Sequence, residues 1–287
     1  MTWEETINFI RSKEEYATLV EQAYLNEDLE LNIQKFSKSE EFKETIKLIE
    51  SKKPGILKIL DVGCGNGIAS IAFALKGHTV VAIDPDDSLT VGTGAVDRMK
   101  NEINLKNVKI ITSTAEDLKY DLESFDLIYS RQAMHHSYDL NRFVSNCARF
   151  LKKNGLFITI RDHVIYNKKD KKIFLKEHPL HKFYQGENAY RSSEYRKALT
   201  LAGLDILDEI KFFDSVINYF PLRLSEIENR ISVEKQLIHN SLDRKLGTFG
   251  KTRFTTFIYE HFFFNPNIMR DERFYSGRMY SYISVKR

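Results

Sequence analysis

Short apolar runs alternate with longer amphipathic stretches from residue 57 almost to the end of the chain. Leu57–Val62, Thr79–Asp84, Val108–Thr112, Phe125–Ser130, Leu156–Ile160 and Leu204–Phe213 each have the length of a strand. Between them the spacing and the stop residues predict helices over Ile68–Lys76, ended by Gly77, and over about Ser88–Asn104. Two more are predicted over Asp139–Lys152, closed by Asn154 and Gly155, and over Ser192–Leu201, stopped at Gly203. Strands alternating with helices imply right-handed crossovers and a parallel sheet covered on both faces. Ligands of such sheets sit at the carboxyl ends of the strands. Ahead of this pattern, Met1–Lys52 reads as helical, with Phe42, Ile46 and Ile49 at helical spacing behind the charged start Ser39-Glu40-Glu41. Behind it, Pro221 opens a long insertion to about residue 275. There Leu224, Ile227 and Ile231 have helical spacing and Phe254–Pro266 is heavily aromatic. That composition predicts a helical cap with a small core of its own. Met279–Val285 is the last strand.

The first strand runs into Asp61-Val62-Gly63-Cys64-Gly65-Asn66-Gly67. Glycines here supply positive φ and close backbone approach, and a strand, a glycine turn and a helix bring free N–H groups to a ligand. The spacing separates the ligand classes. A dinucleotide fingerprint needs its third glycine at position 68, which is Ile68, and a phosphate loop needs G-K-[ST], which is absent. Asp84 closes the second strand one βα unit on, where an acid reaches ribose hydroxyls. The alternative for Asp84, Asp86 or Ser88 is a helix N-cap.

The D-x-G-x-G-x-G turn with its second acid resembles the first motif of the class I S-adenosylmethionine-dependent methyltransferases, specifically from about Leu57 to Arg161 and more loosely elsewhere. The resemblance implies an α/β, Rossmann-like seven-stranded sheet of order 3-2-1-4-5-7-6, strand 7 antiparallel, with helices on both faces and insertions after strands 5 and 6. It implies an N-terminal helical lid over 1–52, with Tyr24 and Phe36 either covering the cofactor or packing. A methyltransferase domain would span 53–287, with insertions at 162–191 and 218–275. It implies S-adenosyl-L-methionine as cofactor, held by Asp61, Gly63, Cys64, Gly65, Asn66, Gly67, Asp84, Pro85, Ala115, Glu116 and Ser130. Thr114 stands where the family has an acid for the adenine amino group, so Glu116 or Asp117 is left to substitute.

The acceptor side falls at the ends of the fourth and fifth strands. Ser130–Asp139 (SRQAMHHSYD) resembles the fourth-strand loop of small-molecule methyltransferases, and His135 or His136 can meet substrate there. No third and fourth ligand accompanies the pair at zinc-like spacing, so no metal is expected. After the fifth strand come Arg161, Asp162 and His163, then a lysine-rich stretch and the segment His178–Arg191. Asp162 holding a histidine tautomer while His163 takes a proton suits a hydroxyl acceptor, with His178 and His181 as rivals. The catalytic expectations are therefore His163, Asp162 and His136.

Composition narrows the remaining choices. A 287-residue chain holds one sizeable α/β domain with insertions, and a net charge of +3 is too small to imply nucleic acid. Cys64 and Cys147 make no framework, the start has no apolar core of signal-peptide length, and no run is long enough to span a membrane. These features point to a soluble cytoplasmic protein, and the resemblance implies an enzyme methylating an oxygen or nitrogen of a small molecule. An RNA or protein methyltransferase and a non-catalytic cofactor-binding module are the alternatives.

Overall fold

The computed structural model describes residues 1–223, 225, 226, 229, 240, 244, 272 and 275–287. Most of the expected helix around 224–231 and all of the aromatic segment 254–266 lie outside the described residues. Met1–Asn218 and Gly277–Arg287 form one unit, and Tyr219–Ser276 a second.

Seven strands make one sheet in the main unit: β1 (Lys58–Val62), β2 (Thr79–Asp84), β3 (Val108–Thr112), β4 (Phe125–Arg131), β5 (Leu151–His163), β6 (Leu204–Ile210) and β7 (Met279–Lys286). Their order is β3-β2-β1-β4-β5-β7-β6, and β7 runs antiparallel to both neighbours, as the family resemblance implies. Residues 59–62 of β1 and 80–83 of β2 are buried apolar side chains except for Asp61, which fits strands covered on both faces. Helices α5 (Ile68–Leu75), α6 (Thr93–Glu102), α7 (Leu140–Phe150) and α10 (Ser192–Leu201) make the crossovers, and α8 (Lys168–Glu177) and α9 (His181–Tyr184) lie between β5 and α10.

Three boundaries differ from the pattern in the sequence, each for a local reason. The helix expected from Ser88 starts at Thr93, because Asp86 Oδ1 accepts from Ser88 N at 2.8 Å and Asp86 O accepts from Thr93 N at 2.8 Å. The side chain thus offers the backbone a turn in place of a helix. The sixth strand stops at Ile210, where Asp214 Oδ2 accepts from Lys211 N at 2.9 Å and closes a turn. The fifth strand begins earlier and ends later than Leu156–Ile160, and it carries a bulge. Thr159 pairs with Tyr282 and Asp162 with Tyr280, so β5 holds one extra residue, and Arg161 sits there at φ +63°. A non-glycine residue in that region costs about 1–2 kcal/mol and re-aims the side chains beside it.

Four helices precede the sheet: α1 (Trp3–Arg11), α2 (Ala17–Gln22), α3 (Leu29–Lys38) and α4 (Glu40–Lys52). Ser39 caps α4 through its Oγ, which accepts from Phe42 N at 3.1 Å. The next residues decide where α4 sits. Glu41 is fully buried and takes a two-pronged bond from Arg131, Nε to Oε1 at 2.6 Å and Nη2 to Oε2 at 3.0 Å. Arg161 Nη1 lies 3.7 Å from Oε2. Burial alone raises a carboxyl pKa, yet the two guanidinium charges hold Glu41 below its ordinary value. Tyr24 and Phe36 are both buried. They stack beside Arg131, with its guanidinium 5.8 and 5.3 Å from their ring centres, and Phe36 packs on Phe42. Both rings are core.

Glu41→Gln leaves two buried guanidinium groups without their carboxylate, so urea unfolding should show a loss of about 3–5 kcal/mol. Glu44→Gln, which breaks an exposed pair with Lys47, should lose less than about 1 kcal/mol. Equal losses in the two variants would contradict the role given to Glu41.

Candidate active site

The carboxyl ends of β1, β2, β4 and β5 open into one cavity of about 520 Å³. At its β1 end the three glycines of the turn serve three different purposes. A Cβ on Gly63 would lie 2.2 Å from Ala133 Cβ, so this glycine lets the β4 loop close in. A Cβ on Gly67 would lie 2.6 Å from Val96 Cγ2, and Gly67 (φ +79°) starts α5 against α6 without lining the cavity. Gly65 (φ +51°) lines the cavity and has no close neighbour at its Cβ position, leaving the backbone open to a ligand.

Asp84 is no helix cap. Its Oδ2 accepts from Gly65 N at 2.9 Å and its Oδ1 from Asp86 N at 2.9 Å, so it ties the two turns together at the cavity wall. Burial raises its pKa to about 6. Burial likewise carries Asp61 up to about 7, although Ser70 Oγ donates to its Oδ2 at 2.5 Å. Asp61, Cys64, Pro85, Ala115 and Glu116 all line the cavity with Gly63 and Gly65. Asp117 does not; it pairs with Arg142 at 2.7 Å, which leaves Glu116 as the cavity-lining acid of the segment after β3. Asn66 reaches the cavity, but its Nδ2 donates to Tyr24 O at 2.9 Å and anchors the N-terminal segment. Ser130 is fully buried within β4 and is not part of the cavity wall, where Arg131, Gln132 and Ala133 stand in its place.

The roof comes from the N-terminal helices and the segment after β5. Ile7, Ile10, Val20, Leu25, Val91 and Leu180 form one buried cluster. Trp3 packs on Tyr184 at 4.9 Å between ring centres, and both line the cavity. The cover is therefore Trp3, Leu19, Ala23 and Leu25, not Tyr24 and Phe36.

The far end of the cavity is a cluster of imidazoles around one carboxylate. The β5 bulge sends Asp162 to His135: its Oδ1 meets both His135 N and His135 Nδ1 at 3.0 Å. The expected pairing of Asp162 with His163 is not made, and the histidine that Asp162 orients is His135. His163 Nδ1 instead meets Gly277 O at 3.1 Å, and His136 Nδ1 meets Gly186 O at 3.0 Å. Glu187 stands among them with a side chain 5% exposed, 3.7 Å from His135 Nε2, 3.9 Å from His136 Nε2 and 3.6 Å from His178 Nδ1. Tyr184 OH donates to its Oε1. Burial alone lowers a histidine pKa, but Asp162 and Glu187 carry His135 up to about 9. Burial and the neighbouring His135 lower His136 to about 4 and push His163 well below its ordinary value. Burial would raise Glu187; the surrounding imidazoles hold it well below the carboxylate range. His181 does not line this cavity. Glu187 carries no signal in the sequence, because it is an isolated acid in Gln185-Gly186-Glu187-Asn188, with no spacing that marks a role.

A model of the methyltransferase domain matches residues 60–159, which hold the glycine turn, Asp84 and the His135-His136 loop. The ubiquinone biosynthesis O-methyltransferase of Agrobacterium fabrum is 27% identical over 165 residues, covering 56% of this chain and 64% of that protein. This chain thus aligns with under two thirds of that relative. Among solved structures, the YcgJ protein of Bacillus subtilis superposes with a TM-score of 0.52 at 19% identity, covering 85% of this chain and 98% of the other. The cyclase SpnF superposes with a TM-score of 0.54 at 17% identity, covering 85% and 80%. At those identities the likeness is one of fold. Residues 60–159 thus match a methyltransferase domain, and the sheet order and glycine turn around them resemble those of the class I S-adenosylmethionine-dependent methyltransferases.

Proposed function

We propose that this chain transfers a methyl group from S-adenosylmethionine to a hydroxyl oxygen of a small molecule. The observation that carries the proposal is the roofed cavity, with the glycine turn and Asp84 at one end and the polar cluster at the other. S-adenosylmethionine supplies a methyl already activated on a sulfonium. The chain's part is then to hold the two reactants in line, which supplies much of the rate, and to take the acceptor's proton.

At the cofactor end, Gly65 leaves room for the ligand and Asp84 has carboxylate lone pairs left for ribose hydroxyls. Glu116, with Ala115 beside it, takes the adenine edge. Asp61, Gly63, Cys64 and Pro85 complete the wall. Helices α1 to α4 act as the lid, since α1 and α2 close the roof and Asn66 fastens it. Choice of a hydroxyl follows the relative named as an O-methyltransferase. The roof over the cavity supports the choice of a small acceptor. A cytoplasmic setting fits the two buried free thiols, Cys64 and Cys147, and no described helix is long and apolar enough to cross a membrane.

For the proton, the geometry favours His136 over His163. The His136 side chain is 36% exposed and its Nδ1 is bound to Gly186 O, which leaves Nε2 for the acceptor. His163 is nearly enclosed between Phe174 and His135. Asp162 serves through His135 as a positioning residue.

Gly65→Val forces a branched side chain into positive φ at the cavity wall, so calorimetry should find no S-adenosylhomocysteine binding while far-ultraviolet circular dichroism stays native. Wild-type affinity in this variant would sink the cofactor site. Asp84 gives a pH signature. Ribose hydroxyls donate to the ionised carboxylate, so affinity should be flat above the Asp84 pKa and weaken below about pH 6. The loss approaches about tenfold per unit, and Asp84→Asn should remove that part of the profile. A wild-type profile flat through pH 6 would remove Asp84 from the ribose. For the reaction, methyl-labelled S-adenosylmethionine with a panel of hydroxylated metabolites should give a product one methylene heavier. With that acceptor, single-turnover rates should fall about a hundredfold to ten-thousandfold in His136→Ala at unchanged cofactor affinity. A loss confined to His163→Ala would move the proton there, and label appearing only in RNA or protein would overturn the small-molecule acceptor.

A further inference from the structure

We propose that His135, His163 and Glu187 form a three-ligand site for a divalent transition-metal ion of the zinc class, with its open side facing the cavity. The spacing in sequence gives no hint of it, because the three residues come from the β4 loop, the end of β5 and the segment after α9 (His181–Tyr184). The fold brings one ligand atom from each to within 4.8 Å of the others.

Hydrogen bonding around the cluster is that of metal-ligating histidines. A metal ligand commonly donates its other ring N–H to a carboxylate or a backbone carbonyl, which fixes the tautomer and turns the free nitrogen to the ion. His135 Nδ1 has Asp162 Oδ1 at 3.0 Å, and His163 Nδ1 has Gly277 O at 3.1 Å. Both rings therefore keep Nε2 for a ligand. Glu187 faces them with its side chain 5% exposed, and its Oε2 is buried without a hydrogen-bond partner. The 3.7 Å from His135 Nε2 to Glu187 Oε2 is too long for a hydrogen bond. It is close to the edge of a tetrahedron built on zinc bonds of 2.0–2.1 Å, about 3.4 Å. A nitrogen and an oxygen held apart at that distance, both buried, fit a shared cation.

Two imidazoles and one carboxylate are one of the donor sets of three-ligand zinc sites, whose fourth position takes water or substrate. All three residues line the cavity, so that position faces the space assigned to the acceptor. An acceptor oxygen bound there would be oriented and acidified. This last role rests on the proposed methyl transfer; the metal site itself does not.

Cobalt(II) reports the site by its visible absorption. Chelator-treated protein should bind one Co²⁺ per chain with a saturable rise in the visible bands, which added Zn²⁺ abolishes. Glu187→Gln and His163→Ala should each weaken Co²⁺ binding by at least tenfold. Asp162→Asn, which alters only the support of His135, should weaken it about 10- to 100-fold and shift the bands. Circular dichroism and S-adenosylhomocysteine affinity on the same samples show whether each variant is folded. Absence of a saturable 1:1 signal in the wild-type protein would overturn the site. Wild-type Co²⁺ affinity in two folded ligand variants would overturn it equally. Wild-type protein that binds Co²⁺ but not S-adenosylhomocysteine would leave the metal site standing and defeat the methyl-transfer proposal instead.

Discussion

A single buried carboxylate fixes how the N-terminal helices meet the sheet. Glu41 lies between Arg131 at the end of β4 and Arg161 in the β5 bulge. Taking three charges out of water is expensive, and a well-packed apolar trio of similar size often does as well or better for stability. An apolar trio, however, lacks direction. The two-pronged bond allows one register between α4 and β4, and the rings of Tyr24 and Phe36 against the Arg131 guanidinium admit only that arrangement. The next residues after Arg131 are Gln132 and Ala133, which enter the cavity wall, and Ala133 is the residue Gly63 makes room for. The glycine turn, the β4 loop and the roof are thus set against one another from the same anchor.

The bulge in β5 is the second constraint, and it explains where the sequence was legible and where it was not. The strand order and the glycine turn depend on local features: apolar runs, stop residues and the spacing of Asp61, Gly63, Gly65, Gly67 and Asp84. Those are readable one segment at a time. Asp162 and His163 resemble a pair because they are neighbours on a strand. Successive strand residues point to opposite faces, and an extra residue at Arg161 shifts the register of the residues beyond it. So Asp162 reaches back to the β4 loop and His163 toward Gly277. Nothing in Thr159-Ile160-Arg161 announces a bulge. The glutamate of α4 is equally silent, since Glu40 and Glu41 read alike as the charged start of a helix, yet one is exposed and the other is fully buried. Long-range pairing decides such residues, and the pattern along the chain does not contain it.

The fold does not by itself decide the chemistry. SpnF, a cyclase, shares this architecture, and function lives in the site grafted on it. In this chain the grafting is done by the segment after β5. That segment supplies His178, Leu180, Tyr184 and Glu187 to the cavity, and its Leu180 belongs to the same buried cluster as Ile7 and Ile10 of α1. The residues that roof the glycine-turn end of the cavity and those that shape its histidine end are therefore one packed unit.

Electrostatics divides the cavity along the same line. Asp61 and Asp84 are buried near one another, and burial raises both toward neutrality even with Arg131 acting on Asp61. At the other end Glu187 is surrounded by imidazoles that hold it firmly ionised. Carboxylates raised by burial fall when a positive charge arrives beside them, so a cationic ligand is favoured at the first end by the ionisation it restores.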